Sequence, residues 1–127
     1  MKIKLTSVMV TDQHKALQFY TEVLGFVKKS DIAMGEARWL TVVPAEGPED
    51  IELLLEPMGF APSRTYQKAL FEAGIPATAF AVDDIEAEYE RMKKLGVNFK
   101  SEPTLSGTIA MAVFEDTCGN WIELYQV

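Results

Sequence analysis

The chain has 127 residues, of which 48% are hydrophobic and 24% are charged, and its formal net charge is −7. The length fits one domain, and the composition is that of a folded globular protein rather than a disordered one. The acidic balance argues against binding to nucleic acids or to anionic membranes, because both need clustered cations. No apolar run is long enough to span a bilayer, the first residues lack the pattern of a secretion signal, and a single cysteine suits a reducing compartment. We therefore expect a cytoplasmic protein.

The first half of the chain predicts a strand, a helix and three further strands. Residues 2–10 alternate between polar and apolar side chains, as in a half-buried strand. Thr11 and Asp12 offer N-cap oxygens for a helix with an apolar stripe, and Gly25 stands where a helix-ending glycine belongs. The three strands are expected at about 26–31, 36–44 and 50–56.

The second half predicts a connecting helix and then the same order of elements. We expect the connecting helix to be capped by Ser63, to end at Gly74 and to bury Tyr66, Ala69, Leu70 and Ala73. A strand at 77–82 precedes a helix that we expect to be capped by Asp83 and to turn Ile85, Tyr89, Met92 and Leu95 toward the core. Further strands are expected near 97–100, 107–115 and 120–126.

The two halves also match residue by residue in one register, at a shift of 71 positions. The matched pairs are Asp12 with Asp83, Ala16 with Ala87, Leu24-Gly25 with Leu95-Gly96, and Ile51-Glu52-Leu53 with Ile122-Glu123-Leu124. Matches at equivalent places in the element order indicate two similar units. A unit of roughly 60 residues buries little apolar surface alone, so we expect the two units to pack together.

Three segments resemble signatures of the vicinal-oxygen-chelate (VOC) superfamily, which includes glyoxalase, bleomycin-resistance and extradiol-dioxygenase proteins. They are Val10-Thr11-Asp12 with Ala16, Phe19-Tyr20 and Leu24-Gly25-Phe26; Phe80 to Asp84 with Leu95-Gly96-Val97; and Phe114-Glu115-Asp116 with Gly119 to Leu124. The resemblance implies an α+β fold of two tandem βαβββ modules that form a curled mixed sheet around a cleft, often with a homodimer completing the structure. We expect a single VOC domain over 1–127, with module 1 at about 1–60, a linking helix at 63–74 and module 2 at about 75–127.

The resemblance also implies where a metal would be held. Superfamily members that bind a divalent metal place one ligand, His or Glu, on the first strand and one on the last strand of each module. The last-strand ligands match Glu52 and Glu123, whereas the first-strand positions fall near Leu5 and Ala77, and neither predicted first strand contains His, Asp, Glu or Cys. The standard site is therefore absent and we expect no cofactor. The alternative is a divalent ion held weakly by the two glutamates and water.

Glu52 and Glu123 each lie between apolar neighbours, where an unpaired carboxylate is costly. One interpretation is that they are paired with Arg38, Tyr125 or backbone groups, and another is that both are solvated. The functional interpretation is a cleft carboxylate that binds a cationic or hydrogen-bond-donating ligand or acts as a base toward it.

Other candidate residues lie on the predicted inner strands. We predict ligand contacts from Arg38, Trp39, Glu52, Met111, Glu123 and Tyr125, with Thr41, Val113 and Trp121 as further candidates for a pocket wall. Aromatic and methionine side chains in such strands also fill ordinary cores. His14, the only histidine, is expected on a helix surface, and Cys118 lies in a turn without a base to activate it, so neither is predicted to be catalytic.

These observations leave more than one function open. The first is a small-molecule-binding protein of the glyoxalase/bleomycin-resistance type that lacks the His/Glu metal site. The alternative is a VOC-family enzyme, a lyase, isomerase or dioxygenase, with Glu52 or Glu123 as base or weak metal ligand and Arg38 or Arg64 as electrophile. An interaction module is the third. The expected partners are a small-molecule ligand and a second copy of the chain, without nucleic acid or membrane.

Overall fold

The computed structural model describes residues 1–126, so the expected end of the second module at Val127 lies outside it. The elements in chain order are β1 Leu5–Val10, α1 Gln13–Gln18, β2 Val27–Met34, β3 Ala37–Val43, β4 Glu52–Pro57, α2 Ala61–Ala73, β5 Thr78–Val82, α3 Ile85–Lys94, β6 Thr104–Ser106, β7 Ile109–Glu115 and β8 Trp121–Gln126. They form two compact units that divide after Thr65. Each unit has one four-stranded sheet, in the order β1-β4-β3-β2 and β5-β8-β7-β6 respectively. The α+β fold with two βαβββ modules is thereby confirmed.

In the first unit, the helical segment after β1 covers one face of the sheet. The buried residues are Val8, Val10, Leu40, Val42, Leu53 and Leu55 from the strands and Ala16, Phe19 and Tyr20 from the helix and the π-helical turn that follows it. Of the two predicted caps, Thr11 and Asp12, it is Asp12 that caps α1, since its carboxylate accepts a hydrogen bond from the N–H of Lys15 at 3.0 Å. Gly25 follows at φ 84°, a conformation that favours glycine.

In the second unit, α3 supplies the apolar side chains that pack on the sheet. The buried residues are Ile85, Tyr89 and Met92 from the helix and Ala112, Phe114, Ile122 and Leu124 from the strands. Phe99 lies between the two layers, with its ring centroid 4.8 Å from that of Tyr89 and 5.7 Å from that of Phe114. The predicted core positions Ile85, Tyr89 and Met92 are therefore confirmed.

The turn between β7 and β8 is built around the buried carboxylate of Asp116. Its Oδ1 accepts hydrogen bonds from the N–H groups of Cys118 at 2.8 Å and Asn120 at 3.0 Å, and its Oδ2 accepts one from Asn120 Nδ2 at 2.8 Å. Gln67 of α2 donates from Nε2 to the carbonyl of Cys118 at 3.1 Å. All four side chains are buried, so this network holds α2 against the turn and covers the cysteine.

Two helices begin at residues other than the predicted ones. α2 begins at Ala61, so Ser63 lies inside its first turn instead of capping it. The cap of α3 is Asp84, whose carboxylate accepts a hydrogen bond from the N–H of Ala87 at 3.0 Å, and not Asp83. Adjacent aspartates offer the same capping chemistry, and the extended backbone of Asp84, φ −140° and ψ 97°, decides between them.

The predicted inner faces of α2 and α3 are also corrected. Tyr66, Ala69 and Ala73 are exposed. The buried residue of α2 is Gln67, because its amide is bound by the β7–β8 turn. Leu95, which was expected to face the core, is 54% exposed.

The strand predicted near 97–100 is replaced by a shorter edge strand further along the chain. The segment pairs with β7 only through an isolated bridge between Phe99 and Phe114. The strand that forms a ladder with β7 is β6, which is three residues long. Among residues 1–126, no helix has the length and apolar character that a membrane span requires.

Candidate functional site

In the first unit, the sheet face turned away from α1 carries Glu52, and a buried hydroxyl holds its carboxylate. Thr41 has no exposed surface, and its Oγ1 donates to Glu52 Oε1 at 2.7 Å. Thr41 Oγ1 also accepts a hydrogen bond from the N–H of Ser30 at 3.1 Å. Because hydrogen bonds in a chain polarise one another, the Ser30 amide strengthens the donation from Thr41 to Glu52. The Glu52 side chain is 26% exposed.

A β-bulge brings a cation to the same carboxylate. The register between β2 and β3 shifts between Lys28 and Ser30, which leaves Lys29 as the extra residue. Its Nζ lies 4.0 Å from Glu52 Oε2 and donates to the carbonyl of Glu49 at 2.7 Å. Glu52 is therefore supplied with a hydroxyl donor and an ammonium group from its own sheet. The alternative that it is simply solvated does not hold.

Arg38, a predicted ligand contact and partner for the glutamates, is paired elsewhere. Strand alternation places it on the opposite face of β3 from Thr41. Its Nε and Nη2 donate to the two carboxylate oxygens of Asp31 at 2.9 and 2.6 Å. The hydrogen bond from Arg38 lowers the pKa of the Asp31 carboxyl from its ordinary value of 3.8 to about 2, and Asp31 in turn raises the pKa of Arg38. The structure does not bring Arg38 to Glu52.

The amide of Gln13 bridges β3 and β4 where their own pairing stops. The two strands pair directly at Thr41–Leu54 and Val42–Leu53. Beyond these pairs, Gln13 Oε1 accepts from the N–H of Arg38 at 3.0 Å, and its Nε2 donates to the carbonyls of Arg38 at 2.7 Å and Leu55 at 2.9 Å. The side chain thus replaces a rung of the sheet next to Trp39, which is half-buried on the same face as Glu52.

In the second unit, three predicted ligand residues share one face of the sheet. Residues paired across strands share a face. The pairs are Met111 with Tyr125, Val113 with Glu123, Ala79 with Glu123 and Ala81 with Tyr125. The side chains from β7 and β8 are half-buried, whereas Ala79 and Ala81 are exposed. Met111, Glu123 and Tyr125 therefore form a half-open surface bordered by small side chains.

Glu123 lacks the partners that Glu52 has. Within the part of the chain that the structure describes, its carboxylate has no hydrogen-bond donor and no ion-pair partner. The residue as a whole is half-buried, so it lies in the sheet surface without a protein donor for its carboxylate. Such a carboxylate is suited to accept hydrogen bonds from a ligand.

The ligating groups on these strands do not fit a transition-metal site. Leu5 on β1 lies opposite Glu52, and Ala79 on β5 lies opposite Glu123. Ala77, near which the second first-strand position is predicted, lies directly before β5. Over residues 1–126, no group of three His, Cys, Asp or Glu residues is close enough to hold a metal ion. At these paired positions, each sheet thus supplies one carboxylate and no nitrogen ligand.

Three other residues with distinctive side chains are His14, Cys118 and Trp121. His14 is exposed on α1, as predicted. Cys118 is fully buried in the β7–β8 turn. Trp121 donates from its indole N–H to the carbonyl of Phe71 at 3.1 Å, and the two rings stack with centroids 5.0 Å apart. Trp121 is therefore a packing residue of α2 and β8.

Lys29 and Gln13 do not stand out in the sequence as residues of a site. Lys29 belongs to a Lys-Lys pair in a predicted strand, where both side chains would be solvated. Only the bulge turns one of them to Glu52. Gln13 follows a capping residue, a place where polar side chains usually face water. The one local signal is the break in alternation at Lys28-Lys29-Ser30.

The sequence matches a known family over almost its full length. The family described as Glyoxalase/Bleomycin resistance protein/Dioxygenase superfamily matches residues 2–124. Among curated proteins, the uncharacterized protein YurT of Bacillus subtilis (strain 168) is 52% identical over 126 residues, which is 99% of each chain.

Solved structures of similar proteins support the same relationship. UcmS2 is 33% identical with a TM-score of 0.84, over 98% of this chain and 97% of that one. TnmS3, an antibiotic binding protein from Streptomyces sp. CB03234, is 30% identical with a TM-score of 0.76, over 99% of this chain and 95% of that one.

Proposed function

Because the chain belongs to the glyoxalase/bleomycin resistance protein/dioxygenase superfamily, we propose that it binds a small organic molecule without the His/Glu metal site. The observation that carries the proposal is the pairing of each glutamate with an apolar side chain, Leu5 opposite Glu52 and Ala79 opposite Glu123. The strands opposite the glutamates thus carry apolar side chains at these positions instead of ligating ones, and offer apolar surface to a ligand.

The ligand contacts are assigned to the sheet faces that carry the glutamates. They are Trp39 and Glu52 in the first unit and Met111, Glu123 and Tyr125 in the second. Arg38, paired with Asp31 on the opposite face, contributes to the sheet rather than to the ligand. TnmS3 is an antibiotic binding protein, and Trp39 and Tyr125 offer aromatic rings for stacking. Antibiotics with aromatic ring systems are therefore the first compounds to test.

The binding function is tested by metal analysis and by ligand titration of the purified protein. We expect no stoichiometric Zn²⁺, Ni²⁺, Fe²⁺ or Mn²⁺ and no calorimetric heat of binding with these ions. We expect NMR chemical-shift changes at residues of the two faces when aromatic antibiotics are added. A panel of such compounds that leaves every resonance unchanged would contradict the proposal.

The alternative is an enzyme of the same superfamily, a lyase, isomerase or dioxygenase, in which Glu52 or Glu123 is a base or a weak metal ligand. The carboxylate of Glu123 favours it, since within residues 1–126 no protein group is bound to it and it is open to a substrate's proton. Stoichiometric metal that is lost in Glu52→Ala/Glu123→Ala would support the enzyme. His14→Ala is the control for metal held by the exposed imidazole.

We also propose that the chain is a single domain over 1–127, with module 1 at about 1–60, a linking helix and module 2 at about 75–127, and that it assembles as a homodimer. Light scattering of the purified protein should give twice the monomer mass at micromolar concentration. A monomer over the whole concentration range would contradict the dimer and leave the binding function intact.

A further inference from the structure

We propose that the two glutamates have different roles, and that Glu123 alone recognises the cationic group of a ligand whose apolar body lies on Met111, Val113 and Tyr125. The inference rests on the proposed binding function and adds the chemical class of the ligand. It follows from comparing the two sheets at equivalent positions.

Strand pairing defines which positions are equivalent. Thr41 pairs with Leu54, two residues after Glu52, and Met111 pairs with Tyr125, two residues after Glu123. Met111 therefore stands where the first sheet has Thr41. A hydroxyl that donates to Glu52 at 2.7 Å is replaced by a thioether, which has no proton to donate.

The cation beside Glu52 also has no counterpart in the second sheet. Ser30 pairs with Thr41, and Thr104 pairs with Met111. The residue before Ser30 is Lys29, whose ammonium lies 4.0 Å from Glu52. The residue before Thr104 is Pro103, which carries neither a charge nor an N–H. Both groups that hold Glu52 are thus missing around Glu123.

Neighbouring cations do not fill this gap. Lys100 donates to the carbonyl of Gly74 at 3.1 Å and lies 4.9 Å from the ring centroid of Trp121. It forms no ion pair with Glu123 within residues 1–126. The Glu123 carboxylate is therefore available to accept hydrogen bonds from the N–H groups of a ligand.

The surface around Glu123 fits a flat or compact apolar group. Ala79 and Ala81 are exposed and have only methyl groups, so they leave the β5 side of the face open. Met111 adapts to different shapes, and the ring of Tyr125 offers a stacking surface and an attractive field for a cation. An ammonium, amidinium or guanidinium group carried on an aromatic body satisfies both parts of this surface.

The test compares benzamidine, which is cationic at pH 7, with its neutral isostere benzamide, by NMR titration of the labelled protein. A hydrogen bond to a charged group is stronger than one between neutral groups, so we expect benzamidine to bind roughly tenfold more tightly than benzamide, or better. Glu123→Gln should abolish this preference by lowering the affinity for benzamidine to that for benzamide. Glu115→Gln, which removes the same charge from the same face, is the matched control and should keep the preference.

One further variant separates the glutamates. Glu52→Gln should reduce the preference for benzamidine far less than Glu123→Gln does, because Thr41 and Lys29 already bind that carboxylate.

The inference is overturned if benzamidine and benzamide bind equally, if neither binds, or if the preference survives in Glu123→Gln. Loss of the preference for benzamidine in Glu52→Gln would assign recognition of the cation to the first sheet, and it would also overturn the inference. The proposed binding function is contradicted only if the aromatic antibiotics also do not bind.

Discussion

Thr41 is fully buried, and its hydroxyl serves two partners, the Ser30 amide and the Glu52 carboxylate. Thr41→Val keeps the shape of the side chain and removes both interactions. A hydrogen bond to a charged group contributes about 1.5–3 kcal/mol, so we expect the free energy of unfolding in urea to fall by about 2 kcal/mol. Thr41→Ser keeps the hydroxyl and should cost only about 1 kcal/mol for the lost methyl group. Equal losses in the two variants would contradict the role of the hydroxyl.

In the first sheet, the ion pair between Asp31 and Arg38 shifts the pKa of both groups. The hydrogen bond from Arg38 lowers the pKa of Asp31 from 3.8 to about 2. A lowered pKa in the folded state stabilises the protein above the ordinary pKa, and this contribution is lost as the pH falls from about 4 to about 2. NMR titration of the Asp31 carboxyl carbon should give a midpoint near 2 in the wild type and close to 3.8 in Arg38→Met. Lys28→Met, which removes a weaker contribution, should move the midpoint less.

At the scale of secondary-structure elements, Gln13 joins α1 to two strands through three hydrogen bonds. Gln13→Ala leaves one N–H and two carbonyl groups between β3 and β4 without these partners. We expect a loss of about 2 kcal/mol in the free energy of unfolding and faster hydrogen exchange at the amide of Arg38.

The neighbouring His14 provides a matched control for this prediction. It lies on the same helix and is exposed, so His14→Ala should change the free energy of unfolding by less than about 0.5 kcal/mol. If both variants unfold at the same urea concentration, the bridge formed by Gln13 does not stabilise the sheet.

At the scale of the whole molecule, each compact unit contains one tryptophan, Trp39 in the first and Trp121 in the second. A unit of roughly 60 residues has a small core and is only marginally stable alone, so we expect both units to unfold in one transition. In Trp121→Phe and in Trp39→Phe, the fluorescence of the remaining tryptophan should follow the same urea curve as the far-UV circular dichroism of that variant. Separate midpoints for the two signals in either variant would contradict the proposed single domain.

Local features of the fold were predictable because they depend on neighbouring residues. Asp12 caps α1, and Gly25 and Gly96 end their helices at φ 84° and 85°. Where two neighbouring residues offered the same chemistry, as Asp83 and Asp84 do, the sequence alone did not distinguish them. The burial of Gln67 was not predictable, because its partners lie more than fifty residues away in the β7–β8 turn.

The sequence by itself determined the order of the elements and the superfamily. It also located two glutamates on the last strands of the modules and showed that the predicted first strands contain no histidine. The tertiary structure alone decided which groups reach each glutamate: Thr41 and Lys29 for Glu52, and Met111 beside Glu123. The physical reason is that strand register is set by hydrogen bonds between residues far apart in the chain, and a shift of one residue moves a side chain to the opposite face of the sheet. The bulge at Lys29 is such a shift. It brings an ammonium group to Glu52, whereas Glu123 has no such neighbour within residues 1–126.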